Sequence, residues 1–419
     1  MQIAILTIGS RGDVQPYLAL ACHLSDRGHE VTLAAPANFR DWIEGHRIRC
    51  VPYDIDMEGF LQRADVKALM AGQWWRIPKM VREVALPMVR STLEGTWEAA
   101  ADADVILYHP KALGAEDVAE RTGAHALLAA PLPFVRTGEF PIITSAGNYG
   151  AFLNRLSWSI FRISRLPYAG TLNRWRKEVL GLGPGPRLLP PGHDTTGRPL
   201  PRLTAVSSSV VPFPHDWNPQ LDHLTGYWWL DDAPDWSPPA ELQRFLEAGT
   251  EPPIYIGFGS MTARDPQRLA RTVVDAVRTA NLRAVIATGW GALRQVEADR
   301  ERILVIDGAP HAALFPLMAG VVHHGGAGTT AAGLRAARPT LICPFAVDQP
   351  FWGKRTATLG VGPPPLPAAR LEAAKLASSL RELVEQTSYA HRAREIADRL
   401  ALEDGCANAA ALIEQLAGA

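Results

Sequence analysis

Short apolar runs that close on glycine- or serine-bearing turns recur along this chain, each followed by a stretch of helical period. Residues 3–8 form the first run and read as a strand buried on both faces. Gly9-Ser10-Arg11-Gly12-Asp13 follows as a turn. Pro16 suits the opening of a helix, where its missing N–H would be unpaired anyway, and Gly28 suits its end. Residues 30–35 supply the next strand. This β-α-β unit predicts a doubly wound parallel sheet. The pattern continues with a strand at 104–108 and a helix at 115–121. It restarts at 253–260, an apolar strand running into a Gly-Ser turn. A helix at 266–280 and strands at 283–287, 303–306, 320–323 and 340–344 come next. Residues 371–416 are helical by period. Two such series predict an α/β chain with two Rossmann-like halves.

Proline-rich segments mark the joints. Val211-Pro212-Phe213-Pro214 and the acidic, proline-rich stretch 231–239 bracket one of them, and 181–201 reads as a loop inside the first half. The expected organisation is a first domain over 1–215, a linker over 216–240, a second domain over 241–385 and terminal helices over 386–419. A length of 419 residues leaves room for this, and 47% hydrophobic against 20% charged residues excludes wholesale disorder. The 42 basic and 43 acidic residues cancel, so no nucleic-acid surface is expected. No apolar run reaches the length of about 18 residues needed to span a membrane. Met1-Gln2-Ile3-Ala4 has no basic n-region and runs directly into the first strand, so it reads as strand and not as a signal peptide. Cys22, Cys50, Cys343 and Cys406 are scattered, without a C-x-x-C pair. That argues against a disulfide framework or zinc site and fits a reducing cytoplasm.

The segment richest in chemistry is His323-His324-Gly325-Gly326-Ala327-Gly328-Thr329-Thr330, which follows a strand and opens a helix. Glycines allow close backbone approach, and N–H groups at a helix start favour phosphate. Thr329 adds a hydroxyl, and His324 can donate a ring N–H to a diphosphate oxygen. A tight turn without ligand is the alternative. Asp348-Gln349 lies just past the end of a later strand, the edge where open α/β sheets bind ligands. Adjacent acceptor and donor groups suit the vicinal hydroxyls of a sugar, and equally a loop cap.

Together with Pro310-His311 and the opening Gly9-Ser10-Arg11-Gly12-Asp13-Val14-Gln15-Pro16, these motifs resemble the UDP-glycosyltransferase superfamily of GT-B fold. The nearest branches are sterol glucosyltransferases and the bacterial antibiotic, macrolide and glycolipid glycosyltransferases. The resemblance covers nearly the whole chain. It implies a first domain that binds acceptor, a second that binds a nucleotide sugar, and a last helix that crosses back onto the first. His324, Gly326, Gly328 and Thr329 would hold the donor diphosphate, and Asp348 and Gln349 the sugar hydroxyls. The loop Ala309-Pro310-His311 would meet the nucleobase. Plant relatives place a stacking Trp near this loop where this chain has Ala309, so UDP and TDP both stay open. Ser260, Ser10 and Arg11 would approach the diphosphate. Trp290 is either a donor-site residue or a packed aromatic. No cofactor is implied beyond the nucleotide sugar as co-substrate.

Inverting transfer requires a base within reach of the acceptor hydroxyl. The resemblance places Asp13 there, and a hydrophobic acceptor pocket would raise its pKa toward useful basicity. Asp13 also fits a plain helix cap. His109, at the end of the strand at 104–108, stands where relatives carry the residue that orients the base. The acidic residues Asp231, Asp232 and Asp235 resemble a metal motif but read as solvated linker, so no metal site is expected. Two further segments stand out. Gln73-Trp74-Trp75-Arg76 is one. The other, 140–177, lacks acidic residues and carries Arg155, Arg162, Arg165, Arg174, Arg176 and Lys177 beside Phe152, Trp158, Phe161 and Trp175. It suits peripheral contact with an anionic membrane, a lid over a hydrophobic acceptor, or an ordinary helix pair. The rival functions are a nucleotide-sugar epimerase of the same fold and a non-catalytic partner protein.

Overall fold

The computed structural model describes residues 1–55, 59, 63, 77–145, 147–163, 165–231, 236–259, 261, 263, 265–289, 293 and 301–418. Ser260, Trp290, Asp232, Asp235 and the Gln73–Arg76 segment lie outside them.

Two all-parallel sheets organise the chain. The first has seven strands: β1 (Gln2–Leu6), β2 (Glu30–Pro36), β3 (Arg49–Tyr53), β4 (Val105–Tyr108), β5 (His125–Ala130), β6 (Arg202–Thr204) and β7 (Asp222–Leu224), in the order 3-2-1-4-5-6-7. The second has five: β8 (Ile254–Gly257), β9 (Ala284–Ala287), β10 (Ile303–Ile306), β11 (Val321–His323) and β12 (Thr340–Ile342), in the order 10-9-8-11-12. In both, the order reverses beside the first strand of the series. At such switch points the strand ends open a crevice.

The principal helices are α1 (Arg11–Asp26), α2 (Leu86–Ala100), α3 (Ala115–Thr122), α4 (Ala151–Ser157), α5 (Ile160–Ile163), α6 (Pro266–Ala280), α7 (Ala327–Arg335), α8 (Gln349–Leu359), α9 (Ala373–Glu385), α10 (Thr387–Leu400) and α11 (Gly405–Leu416). Strand parity divides the core. Ile3 and Ile5 pack on α1 through Val14, Leu18 and Leu24. Ala4 and Leu6 point to the opposite face with Leu93 of α2 and Val118 of α3. Between the halves, Val206, Val210 and Tyr227 of the first meet Leu334, Phe351, Trp352 and Val361 of the second in one apolar cluster. Among the described residues no helix is long and apolar enough to cross a membrane.

Two details depart from the sequence-based expectations. The first helix starts at Arg11, ahead of Pro16. Ser10 and Asp13 form a capping box that sets the start, and Pro16 sits inside the helix. The bond Pro16 cannot donate would have gone to the carbonyl of Gly12, an exposed residue. β7 lies within the stretch expected to be linker, yet it is the edge strand of the first sheet. Its Asp222 is in register with Arg202, and the two form an ion pair at 2.6 Å.

The chain crosses between the halves twice. After β7 it runs on through Tyr227 toward β8. After α10 it returns, and α11 packs Cys406, Ala409, Ala410 and Ile413 into the α1 face of the first sheet. Arg27 and His29 clasp Glu414 at 2.6 and 2.9 Å. The two crossings touch. Asn408 Nδ2 donates to the Thr225 carbonyl at 3.0 Å. A Cβ on Gly405 would stand 2.3 Å from the Tyr227 carbonyl oxygen, so only glycine lets the chains pass this closely.

Candidate active site

The first half presents a carboxylate whose two oxygens do different work. Asp13 is the third residue of α1. Its Oδ2 accepts from the Ser10 N–H at 2.9 Å and the Ser10 hydroxyl at 3.2 Å, closing the helix start. Gly9, at φ +144°, makes this possible: a Cβ there would lie 2.1 Å from that oxygen. Thr7 Oγ1 donates to the Asp13 carbonyl at 2.8 Å and fixes the turn. The second oxygen, Oδ1, accepts from Lys111 Nζ at 2.8 Å and stands 3.6 Å from His109 Nε2. Asp13 is thus both the cap and a presented carboxylate.

His109 follows directly on β4 and is buried. Its N–H donates to the Leu6 carbonyl at 2.8 Å, which ties the turn to β1. The Lys111 N–H donates to His109 Nδ1 at 3.0 Å, so Nε2 carries the proton and points at Asp13. Tyr17 packs edge-on against the imidazole at 5.9 Å. Burial, and then the Lys111 charge, push the imidazole pKa down to about 3 despite the neighbouring carboxylate. His109 is therefore neutral at physiological pH. Burial alone would raise the Asp13 pKa, as an apolar acceptor pocket was expected to do. Burial is the largest single influence, but Lys111, His109 and the Ser10 N–H together outweigh it and hold the carboxyl below its ordinary value, which corrects that expectation.

The second half contributes the turn from β11 into α7. His323 Nδ1 accepts the Gly325 N–H at 2.9 Å. Gly326 is the N-cap of α7 and brings no side chain to cap it, so the first-turn N–H groups of Ala327, Gly328 and Thr329 are left for another acceptor. Thr330 N–H and Oγ1 both return to the Gly326 carbonyl at 2.9 Å. His324 stands beside this helix start. Its Nδ1 is buried and meets no hydrogen-bond partner among the described residues. Burial first, then His311, lowers the His324 pKa to about 4. His311 stacks on Phe315 at 4.4 Å, next to the half-buried Ala309. Burial, and then the charge of Arg11 from the first half, lower His311 to about 4 as well. The Arg11 guanidinium lies over Trp42 at 4.6 Å, and its Nε donates to Gln15 at 3.3 Å.

Asp348 is the N-cap residue of α8, and its Oδ2 accepts from Trp352 Nε1 at 2.8 Å. Burial raises its pKa; the Asp13 charge adds to this and Lys111 opposes it. The carboxylate of the second half thus lies within electrostatic reach of the Asp13–Lys111 pair of the first. The preceding Val347, 59% exposed, has φ +59°, a strained conformation for a β-branched residue. Gln349 is buried. Its Oε1 accepts the N–H groups of Phe345 and Ala346 at 2.7 and 3.1 Å, and its Nε2 reaches Met261 Sδ at 3.2 Å. The Gln349 amide shapes the loop that presents Asp348.

The structure therefore gathers Ser10, Asp13 and His109 at one sheet edge, and His311, His324 and the start of α7 at the other. Lys111, the nearest cation to Asp13, escaped the sequence reading. A lysine in a Pro-Lys turn carries no signal of its own, and the only pointer was its position two residues after His109.

Residues 3–141 match the family model of the glycosyltransferase family 28 N-terminal domain, and 271–416 that of the erythromycin biosynthesis protein CIII-like C-terminal domain. Sterol 3-beta-glucosyltransferase UGT80B1 of Arabidopsis thaliana is 34% identical over 429 residues, covering 98% of this chain and 67% of that protein. The chain belongs to the UDP-glycosyltransferase superfamily. Sterol 3-beta-glucosyltransferase UGT80A2 of the same plant is 36% identical over 421 residues, covering 98% of this chain and 64% of the relative. The chain spans about two thirds of the length of these relatives. Among solved structures, a glycotransferase of kitacinnamycin superposes with a TM-score of 0.70 at 21% identity, over 99% of this chain and 98% of the other, a likeness of fold. Within this UDP-glycosyltransferase superfamily member, the first matched segment holds Asp13, His109 and Lys111. The second holds His311, His324 and Asp348.

Proposed function

We propose that this protein transfers a sugar, with inversion, from a nucleotide diphosphate donor (a UDP- or TDP-sugar) to a hydroxyl of a hydrophobic acceptor, with Asp13 as general base. The acceptor class is a sterol, polyketide or macrolactone, phenol or hydroxylated lipid. The observation that carries the reading is Asp13 Oδ1, presented at the end of β1 and held by Lys111 at 2.8 Å, opposite Asp348 and the uncapped start of α7.

The acceptor oxygen attacks the anomeric carbon. The bond from that carbon to the donor phosphate oxygen breaks, and its electron pair leaves on the nucleotide diphosphate. The acceptor proton goes to Asp13 Oδ1. Asp13 is favoured over His109 as the base because the imidazole, with a pKa near 3 and its Nδ1 occupied, has no accessible lone pair to offer. His109 is a positioning residue that aims a neutral N–H at the carboxylate. Lys111, 58% exposed, is the partner an arriving hydroxyl displaces, and its departure returns basicity to Asp13 when the proton must move. The helix start at Gly328-Thr329 and the His324 ring take the developing diphosphate charge.

The test is acceptor-dependent release of nucleotide diphosphate across a panel of UDP- and TDP-sugars and apolar hydroxyl compounds. Epimerised donor formed without acceptor would favour the epimerase instead. Donor binding with no transfer to any acceptor would favour a partner protein.

Lys111→Met removes the charge that lowers the Asp13 pKa, so the acid limb of the kcat/KM profile should move to higher pH. An unmoved limb would detach Lys111 from the base. Turnover should also survive excess chelator. The diphosphate charge is assigned to protein donors, and Asp231 of the acidic stretch is engaged by Arg335 at 2.7 Å. A large loss in chelator, restored by a divalent cation, would require a metal.

A further inference from the structure

The helix pair α4–α5 carries the densest exposed apolar surface among the described residues. Seven of the twelve exposed large apolar side chains lie between 149 and 166. Phe152 (77% exposed), Leu153, Leu156, Ile160, Ile163 and Leu166 follow one another at helical spacing. The other side of the pair is well packed. Trp158 and Asn154 are buried, and Trp158 Nε1 donates to the Phe140 carbonyl at 3.2 Å. The Phe140 ring lies 5.3 Å from Phe351, which is on α8, three residues past Asp348. The pair thus stands at the margin of the cleft with an apolar stripe turned to water. Such a stripe marks an interaction surface.

The charges around it select the partner. Residues 140–177 contain no Asp or Glu. Arg165 and Arg176 are committed to the buried Asp117. Arg155 binds Asp216 at 2.7 Å. Arg162, between Ile160 and Ile163, and Arg174 and Lys177 are exposed. Large apolar side chains on an exposed helical face, with arginine among them, complement the boundary between acyl chains and anionic headgroups.

We propose that the α4–α5 face docks on an anionic lipid bilayer, burying Phe152, Leu156 and Ile160 below the headgroups and holding the cleft margin at the membrane surface. Docking stands on the surface alone. That it serves entry of an apolar acceptor rests on the function proposed above.

The test is co-sedimentation of the full chain with vesicles of phosphatidylcholine alone and of phosphatidylcholine mixed with phosphatidylglycerol. The chain should bind the mixed vesicles more tightly, and salt should weaken that binding. The double substitution Phe152→Ser with Ile160→Ser should weaken binding by about tenfold or more. Arg162→Gln should weaken it about fivefold, on the mixed vesicles only. If the double variant fails to show a native melt, Phe152→Ser and Arg162→Gln, both at exposed positions, carry the test. The proposal is overturned if wild type stays in the supernatant with both vesicles, or if the variants sediment like wild type. It is also overturned if light scattering shows a wild-type dimer that the double substitution splits, which would make the face a contact between copies of this chain. Sedimentation reads no turnover, so loss of docking leaves sugar transfer standing, and loss of sugar transfer leaves docking standing.

Discussion

Asp13→Asn is expected to lower kcat by about a thousandfold while leaving the KM for the donor within about twofold. The substitution separates the two roles of the residue. The Asn side-chain oxygen can still accept the Ser10 N–H that Oδ2 accepts at 2.9 Å, so the start of α1 survives and the melting temperature should move little. What disappears is the second oxygen, the one that faces Lys111 and His109. Single-turnover sugar transfer with saturating donor and acceptor reads the chemical step directly. A drop of less than about tenfold would remove Asp13 as the base. A parallel loss of donor affinity would instead make it a residue that shapes the cleft.

His324→Ala should cost about a hundredfold in kcat/KM, with the acceptor KM unchanged. The ring stands beside the uncapped start of α7, with Nδ1 buried and without a partner among the described residues. Removing a buried polar atom that lacks a partner relieves a desolvation penalty, which offsets the packing the ring provides. Stability should therefore fall far less than activity. With a pKa near 4 the imidazole is neutral over the working pH range, so it serves as an N–H donor and not as a cation. Donor binding by calorimetry should weaken in the variant. Unchanged donor affinity with unchanged kcat would take His324 out of the diphosphate site.

The sequence reveals the proposed donor side more readily than the proposed acceptor side because of chain distance. His324, Gly326, Gly328 and Thr329 lie within six residues, and the turn that joins them runs into the start of α7. Asp13 and Lys111 are 98 residues apart, and only the pairing of β1 with β4 brings them together. The strands missed in the sequence have local causes. β3 contains Pro52, which breaks a strand pattern. β5 reads HALLAA, alanine-rich enough to pass for helix. β6 and β7 are three residues long, and their pairing rests on Arg202 and Asp222, which read as surface charges until the register is known. The first helix start was hidden by Pro16, a proline that usually marks an opening and here lies inside.

Two chain crossings in contact at Gly405 and Tyr227 make the joint between the halves a book spine and not a swivel. One crossing would leave rotation about its φ and ψ dihedrals free. Two, side by side and bonded through Asn408 to Thr225, leave bending about a single line. In this arrangement the Asp13 edge faces the Asp348 edge closely enough for the two carboxylates to influence one another. The register between the two sheet edges is thus constrained by the covalent path of the chain. A bulky side chain at position 405 would act as a shim in the spine, changing the angle between the two sheet edges.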